Sequence, residues 1–125
     1  MIAGMGVDLI EIDRLKQAHL KQGSRFILRL FTAAEAEYCL KKKDPYPSLA
    51  GRFAAKEAVI KAFGHGFDGR LKWTHIEIAR ESSGKPIVRL KDSMEKLRKQ
   101  RKIKQIHLSI AHNRKDATAV VILEG

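Results

Sequence analysis

The sequence holds one cysteine, three prolines and an aromatic fraction of 6%. A lone cysteine, Cys39, excludes an internal disulfide, and no Cys/His spacing suits a structural zinc. A reducing, cytoplasmic setting is therefore expected. No apolar run approaches the roughly 20 residues needed to cross a bilayer, so no membrane partner is expected. The opening MIAGMGVDLI has no basic lead-in and carries a carboxylate at Asp8, and it reads as folded structure, not as a signal peptide. Repeats, low-complexity tracts and linkers are missing too, which makes residues 1–125 a single domain. Acidic residues are scarce, 14 against 25 lysines and arginines, for a formal charge of +11. That sign favours polyanionic or acidic partners. Nucleic acid, an acidic protein and a polyphosphate substrate all satisfy it.

What is present is a soluble, core-forming composition, 44% hydrophobic and 31% charged. Ile2 to Ile10 read as a short buried strand, interrupted by Asp8 on the same parity as Ile10. Leu15, Ala18 and His19 follow helical spacing as far as Gly23, and Ser24 opens a short turn carrying Phe26, Ile27 and Leu30. Thr32 and Glu35 form a capping-box signature for a helix through Lys43. After the break at Asp44 to Pro47, Ser48 is the expected N-cap of a long helix, residues 49–63, closed by Gly64. Ala50, Ala54, Ala58 and Ala62 give that helix a smooth face for a close neighbour. The segments at 73–78, 86–90, 106–110 and 117–122 read as strands, with turns at Ser83-Gly84 and Asn113 to Asp116 and a basic helix at 93–102. The expected fold is α+β, an antiparallel sheet packed with a long central helix and shorter helices.

Within the long helix, Glu57 and Lys61 are four residues apart and share a face. By spacing alone they are an ordinary surface ion pair, and Asp8 alone is a strand-end residue serving a turn. Together they are two carboxylates and a lysine of the kind that holds a hard cation against phosphate. Mg²⁺ suits such a set, because it takes one or two carboxylates, waters and substrate oxygens.

The stretches I-A-G-M-G-V-D-L-I-E-I-D-R at 2–14 and F-A-A-K-E-A-V-I-K-A at 53–62 resemble, without gaps, the two signature motifs of the holo-acyl-carrier-protein synthases, small 4'-phosphopantetheinyl transferases. Motif order, length and the closing S-I-A-H at 109–112 resemble that family as well. The resemblance implies that Asp8 and Glu57 ligate Mg²⁺ and that Lys61 faces phosphoryl oxygens, the three acting as catalytic residues. It implies transfer of the phosphopantetheine arm of coenzyme A to a serine of apo-acyl carrier protein, leaving adenosine 3',5'-bisphosphate. The serine proton goes to Glu57 or to a metal-bound water. It further implies a homotrimer with active sites between subunits.

Gly64 and Gly66, around His65, offer backbone N–H groups to phosphate or simply end the helix. His112 is either a coenzyme A phosphate contact or a solvated turn histidine, and Arg52 is assigned to the same substrate, from a neighbouring subunit. Arg14, Arg25 and Arg29 are either a solvated basic face or, as the resemblance implies, a docking surface for the acidic carrier protein with Phe26 as its apolar anchor. The basic run from Lys96 to Lys104 reads as a solvated face. Two rival readings are a nucleic-acid-binding protein and another Mg²⁺-dependent phosphoryl-transfer enzyme such as a nuclease. No strand carries the aromatic cluster that stacks RNA bases, which counts against nucleic acid.

Overall fold

The computed structural model describes residues 1–64 and 71–125. The chain begins with strand β1 (Ile2–Glu11), followed by helices α1 (Ile12–Gln22), α2 (Ser24–Leu30), α3 (Ala33–Leu40) and α4 (Tyr46–Phe63). A 3₁₀ turn (Trp73–His75) leads into β2 (Ile76–Arg80) and β3 (Pro86–Leu90), then α5 (Asp92–Gln100), β4 (Gln105–His112) and β5 (Asp116–Glu124). The expected α+β fold is present. Its strands are divided between two sheets, a three-stranded antiparallel sheet of order β1-β5-β4 and a β2-β3 hairpin.

Helix α4 lies across the three-stranded sheet, and two glycines set how closely. A Cβ on Gly6 would fall 2.0 Å from the Ala58 carbonyl oxygen, and one on Gly4 would fall 2.1 Å from that of Ala62. The glycines of β1 and the alanine stripe of α4 are thus complementary halves of one backbone-to-backbone contact. Ala54, Ala55, Ala58 and Val59 are sealed against Val121, Leu123, Ile76, Ile78 and Met94. A second cluster joins Phe26, Ile27, Leu30 and Phe31 to Leu49 and Ala50 at the other end of α4.

On the side of α4 away from the sheet, Lys56 is fully buried. Its ammonium donates to Glu35 Oε1 at 2.6 Å, to the Leu30 carbonyl at 2.8 Å and to the Trp73 carbonyl at 3.1 Å. Glu35 also accepts from the N–H groups of Thr32 and Ile78, both at 2.8 Å. All three ammonium protons therefore have acceptors, which is what a buried lysine requires.

Four sequence expectations shift, the first being that β1 is not a buried strand: Ile2, Met5, Val7 and Leu9 are exposed while Gly6 and Asp8 are buried. Helix α4 starts at Tyr46, before Ser48, because Pro47 fits the first turn where its missing N–H is not needed. Ser48 Oγ instead accepts from Arg52 Nη1 at 2.9 Å. Helix α3 ends at Leu40, short of Lys43, and Trp73 to His75 form a 3₁₀ turn in place of the start of a strand. The capping box at Thr32 and Glu35 and the left-handed Gly64 at the end of α4 (φ 71°) are as expected. No helix among the described residues is long and apolar enough to cross a membrane.

Candidate active site

The Gly6 and Ala58 contact carries Asp8 of β1 under the last turns of α4. Asp8 pairs across the sheet with Ala119, and Thr118 Oγ1 donates to its backbone carbonyl at 2.8 Å. The side chain is only 8% exposed. Its Oδ1 accepts from Lys61 Nζ at 2.7 Å, and Lys61 reaches the Val7 carbonyl at 3.2 Å as well. Oδ2 is buried without a partner among the described residues. Burial, and then the neighbouring Asp8 carboxylate, raise the Glu57 carboxyl from 4.5 to about 7, against the opposing pull of Lys61.

Asp8, Glu57 and Lys61 therefore meet in one place. The cluster is over-supplied with negative charge, because one exposed ammonium serves two carboxyls. A divalent cation would relieve both the orphaned Oδ2 and the repulsion at Glu57. Among the described residues no group of three or more His, Cys, Asp or Glu is placed to hold a metal. A cation here would keep most positions for water and substrate oxygens, an arrangement that fits Mg²⁺.

Arg52 and His112 are brought together, but elsewhere. Both line a cavity with Lys42, Asp44, Ser48, Ile78, Arg80 and Pro86, and none of Asp8, Glu57 or Lys61 lines it. Five residues along an α-helix is a turn of about 140°, so Arg52 and Glu57 leave α4 in different directions. Arg52 is 7% exposed, lies over the Tyr38 ring and has a buried Nε with no partner among the described residues. His112 is exposed and also borders a shallow cleft with Leu9 on the outer face of the sheet. Lys42, Arg80 and Tyr38 were not anticipated, because they come from segments whose meeting has no spacing signal. Gly64 sits directly after the turn that bears Lys61, while His65 and Gly66 lie outside the described residues.

Arg14, Arg25 and Arg29 are exposed on α1 and α2. Phe26 is not available as their apolar anchor. It is 6% exposed, packed in the core with its ring 6.1 Å from that of His19. On α2 the exposed apolar side chain is Leu28, 73% accessible, in a shallow basin with Lys21, Arg25 and Arg29. The signal lay in the α2 pattern, where Phe26, Ile27 and Leu30 already fill the inward face and leave Leu28 with the arginines.

Residues 4–121 match the model of the family described as the 4'-phosphopantetheinyl transferase superfamily. The chain belongs to that superfamily. Within it the similarity is to the holo-[acyl-carrier-protein] synthases. The Halothermothrix orenii enzyme of that name is 44% identical over 124 residues, 99% of this chain and 98% of that one. The crystal structure of the Neisseria meningitidis synthase superposes with a TM-score of 0.92 at 31% identity, covering all of both chains. That of the Helicobacter pylori synthase in complex with coenzyme A superposes with a TM-score of 0.84 at 30% identity, covering 96% of this chain and 99% of that one. The family resemblance of the two motifs is thus upheld over the whole chain, and the protein is an enzyme of this transferase type.

Proposed function

We propose that this phosphopantetheinyl transferase moves the 4'-phosphopantetheine group from coenzyme A to a serine hydroxyl of an apo-acyl carrier protein, releasing adenosine 3',5'-bisphosphate. The observation that carries the reading is the Asp8, Glu57 and Lys61 cluster, with its unpartnered Asp8 Oδ2 and its Glu57 carboxyl raised to about 7. Asp8 and Glu57 would hold Mg²⁺, which when bound neutralises pyrophosphate charge and the charge that develops during transfer. Lys61, more than half exposed, offers its ammonium to a phosphoryl oxygen from beside Asp8. Electrostatic placement of this kind is most of what phosphoryl transfer asks of a protein.

The cavity lined by Arg52, His112, Lys42 and Arg80 is the reading's site for the anionic nucleotide end of coenzyme A. None of Asp8, Glu57 or Lys61 lines it, and in this reading one copy's cavity serves the carboxylates of the next in a homotrimer. Support comes from the outer face of the three-stranded sheet, where Met5, Val7, Leu9 and Val120 are exposed. An apolar face of that kind calls for a cover, and His112 stands at its rim beside Leu9. The basin of Lys21, Arg25, Leu28 and Arg29, with Arg14 nearby in sequence, suits an acidic carrier surface. A buried, unpaired Cys39 accords with a cytoplasmic location.

The test is incubation with coenzyme A, Mg²⁺ and an apo-acyl carrier protein, following carrier mass. A phosphopantetheine increment on the carrier serine is expected. No increment with a carrier that a known synthase modifies would overturn the reading, and nucleic-acid cleavage under the same conditions would replace it with a nuclease.

A further inference from the structure

Tyr38 stands half-buried on α3, and three cations from three different segments converge on its ring. Lys42 Nζ, just past α3, lies 4.7 Å from the ring centroid. The Arg52 guanidinium carbon, from α4, lies at 4.5 Å, and that of Arg80, from the end of β2, at 5.2 Å. Arg80 Nη1 also donates to the phenolic oxygen at 2.6 Å. Among the described residues none of the three is in an ion pair with a carboxylate. The nearby Glu35 and Glu77 are engaged by Lys56 and Lys91, and Asp44 lines the cavity without pairing to them.

Three like charges held this close repel one another. The negative face of an aromatic ring is the feature that offsets the repulsion, because each cation is drawn to the same quadrupole. The same charges also act on the Tyr38 hydroxyl. Burial works to raise its phenol, yet Lys42, Arg80 and Arg52 bring it below its ordinary value. Lys42, Arg52 and Arg80 all line one cavity, and the buried Arg52 Nε has no partner among the described residues.

We propose that Tyr38 is a positioning residue for coenzyme A, its ring holding Lys42, Arg52 and Arg80 as a preassembled cationic wall that receives the anionic nucleotide end. The proposal rests on the reading of this cavity as the coenzyme A site. A ligand phosphate then meets charges already in place, and binding need not gather mutually repelling side chains. Tyr38 stands behind this wall, outside the cavity's lining, and the transfer step is left to Asp8, Glu57 and Lys61.

The experiment measures steady-state kinetics and calorimetric coenzyme A binding on the full-length protein, at saturating carrier and fixed Mg²⁺, for Tyr38→Leu, Tyr38→Phe, Arg52→Ala and Arg80→Ala. Tyr38→Leu should raise the coenzyme A KM and Kd about 10-fold with kcat within about 2-fold of wild type. Tyr38→Phe keeps the ring and loses only the Arg80 hydrogen bond, and should recover most of that loss. Where Tyr38→Leu fails to fold, Tyr38→Met takes its place, with the circular dichroism spectrum as the check. Elevated KM in both arginine variants alongside unchanged KM in the Tyr38 variants would overturn the role of Tyr38 alone. A fall in kcat with KM unmoved would overturn it too, by assigning the ring to general structure. Unchanged KM in the arginine variants as well would show that coenzyme A is not bound in this cavity, and would overturn both readings.

Discussion

Lys61 of α4 holds Asp8 of β1 at 2.7 Å across 53 positions of sequence. The contact depends on how deeply the helix sits on the strand, and that depth is set by Gly4 and Gly6. Glu57, one helical turn before Lys61, is drawn into the same space and becomes a carboxyl that resists ionisation.

Gly6→Ala should uncouple this arrangement. The added methyl would lie 2.0 Å from the Ala58 carbonyl oxygen, a backbone atom that moves only if α4 moves. A loss of about 3 kcal/mol in chemical denaturation is expected. Turnover should fall at least 100-fold in the fraction that folds. Wild-type turnover would mean that the depth of α4 does not control the site.

Asp8→Asn and Glu57→Gln should each lower carrier modification by about 1,000-fold or more while the circular dichroism spectrum is retained. Both keep the shape of the side chain and remove the charge a cation needs. Near-normal rates at saturating Mg²⁺ would remove that residue from the metal site.

Glu57 predicts a pH signature in the metal-free protein. Between 4.5 and about 7 the folded state holds a proton at Glu57 that the unfolded state has released. Stability from this group is therefore complete below 4.5 and is lost as pH rises through about 7. The Tm of wild type should match that of Glu57→Gln at low pH and drop below it above pH 7. Mg²⁺ should raise the wild-type value at pH 8 and leave Glu57→Gln largely unmoved. Parallel pH curves for the two proteins would contradict the raised pKa.

Lys56→Met should destabilise by about 3 to 5 kcal/mol, because Glu35 would remain buried with its charge uncompensated. Adding Glu35→Gln should restore part of the loss, and a double-mutant cycle in urea measures the coupling. Strict additivity would show that the two side chains do not act as a pair.

Leu28→Ser should raise the KM for the carrier several-fold without changing that for coenzyme A. Arg25→Glu should do the same in a way that weakens with added salt. Since Leu28 is exposed, the melting temperature should hardly change. Insensitivity of carrier KM to both changes would move docking away from α2.

The α+β class, the order of most elements, the capping box and the glycine end of α4 were legible in the residues, because each depends on neighbours within a few positions. The pairing of Glu57 with Lys61 was legible for the same reason, and the family motifs added Asp8. Residues 2–14 and 53–62 thus determined the candidate chemistry by themselves. Tertiary structure decided the rest. It turned Phe26 inward and left Leu28 exposed, since either is apolar enough for the core and only packing against α1 and α4 chooses. It separated Arg52 and His112 from the carboxylates, because a helix sends residues five apart in different directions. It gathered Lys42, Arg52 and Arg80 on Tyr38 and brought Asp8 within reach of Lys61, in both cases through contacts between distant segments. Such contacts depend on close packing in three dimensions, where a missing Cβ on Gly6 matters as much as any charged side chain.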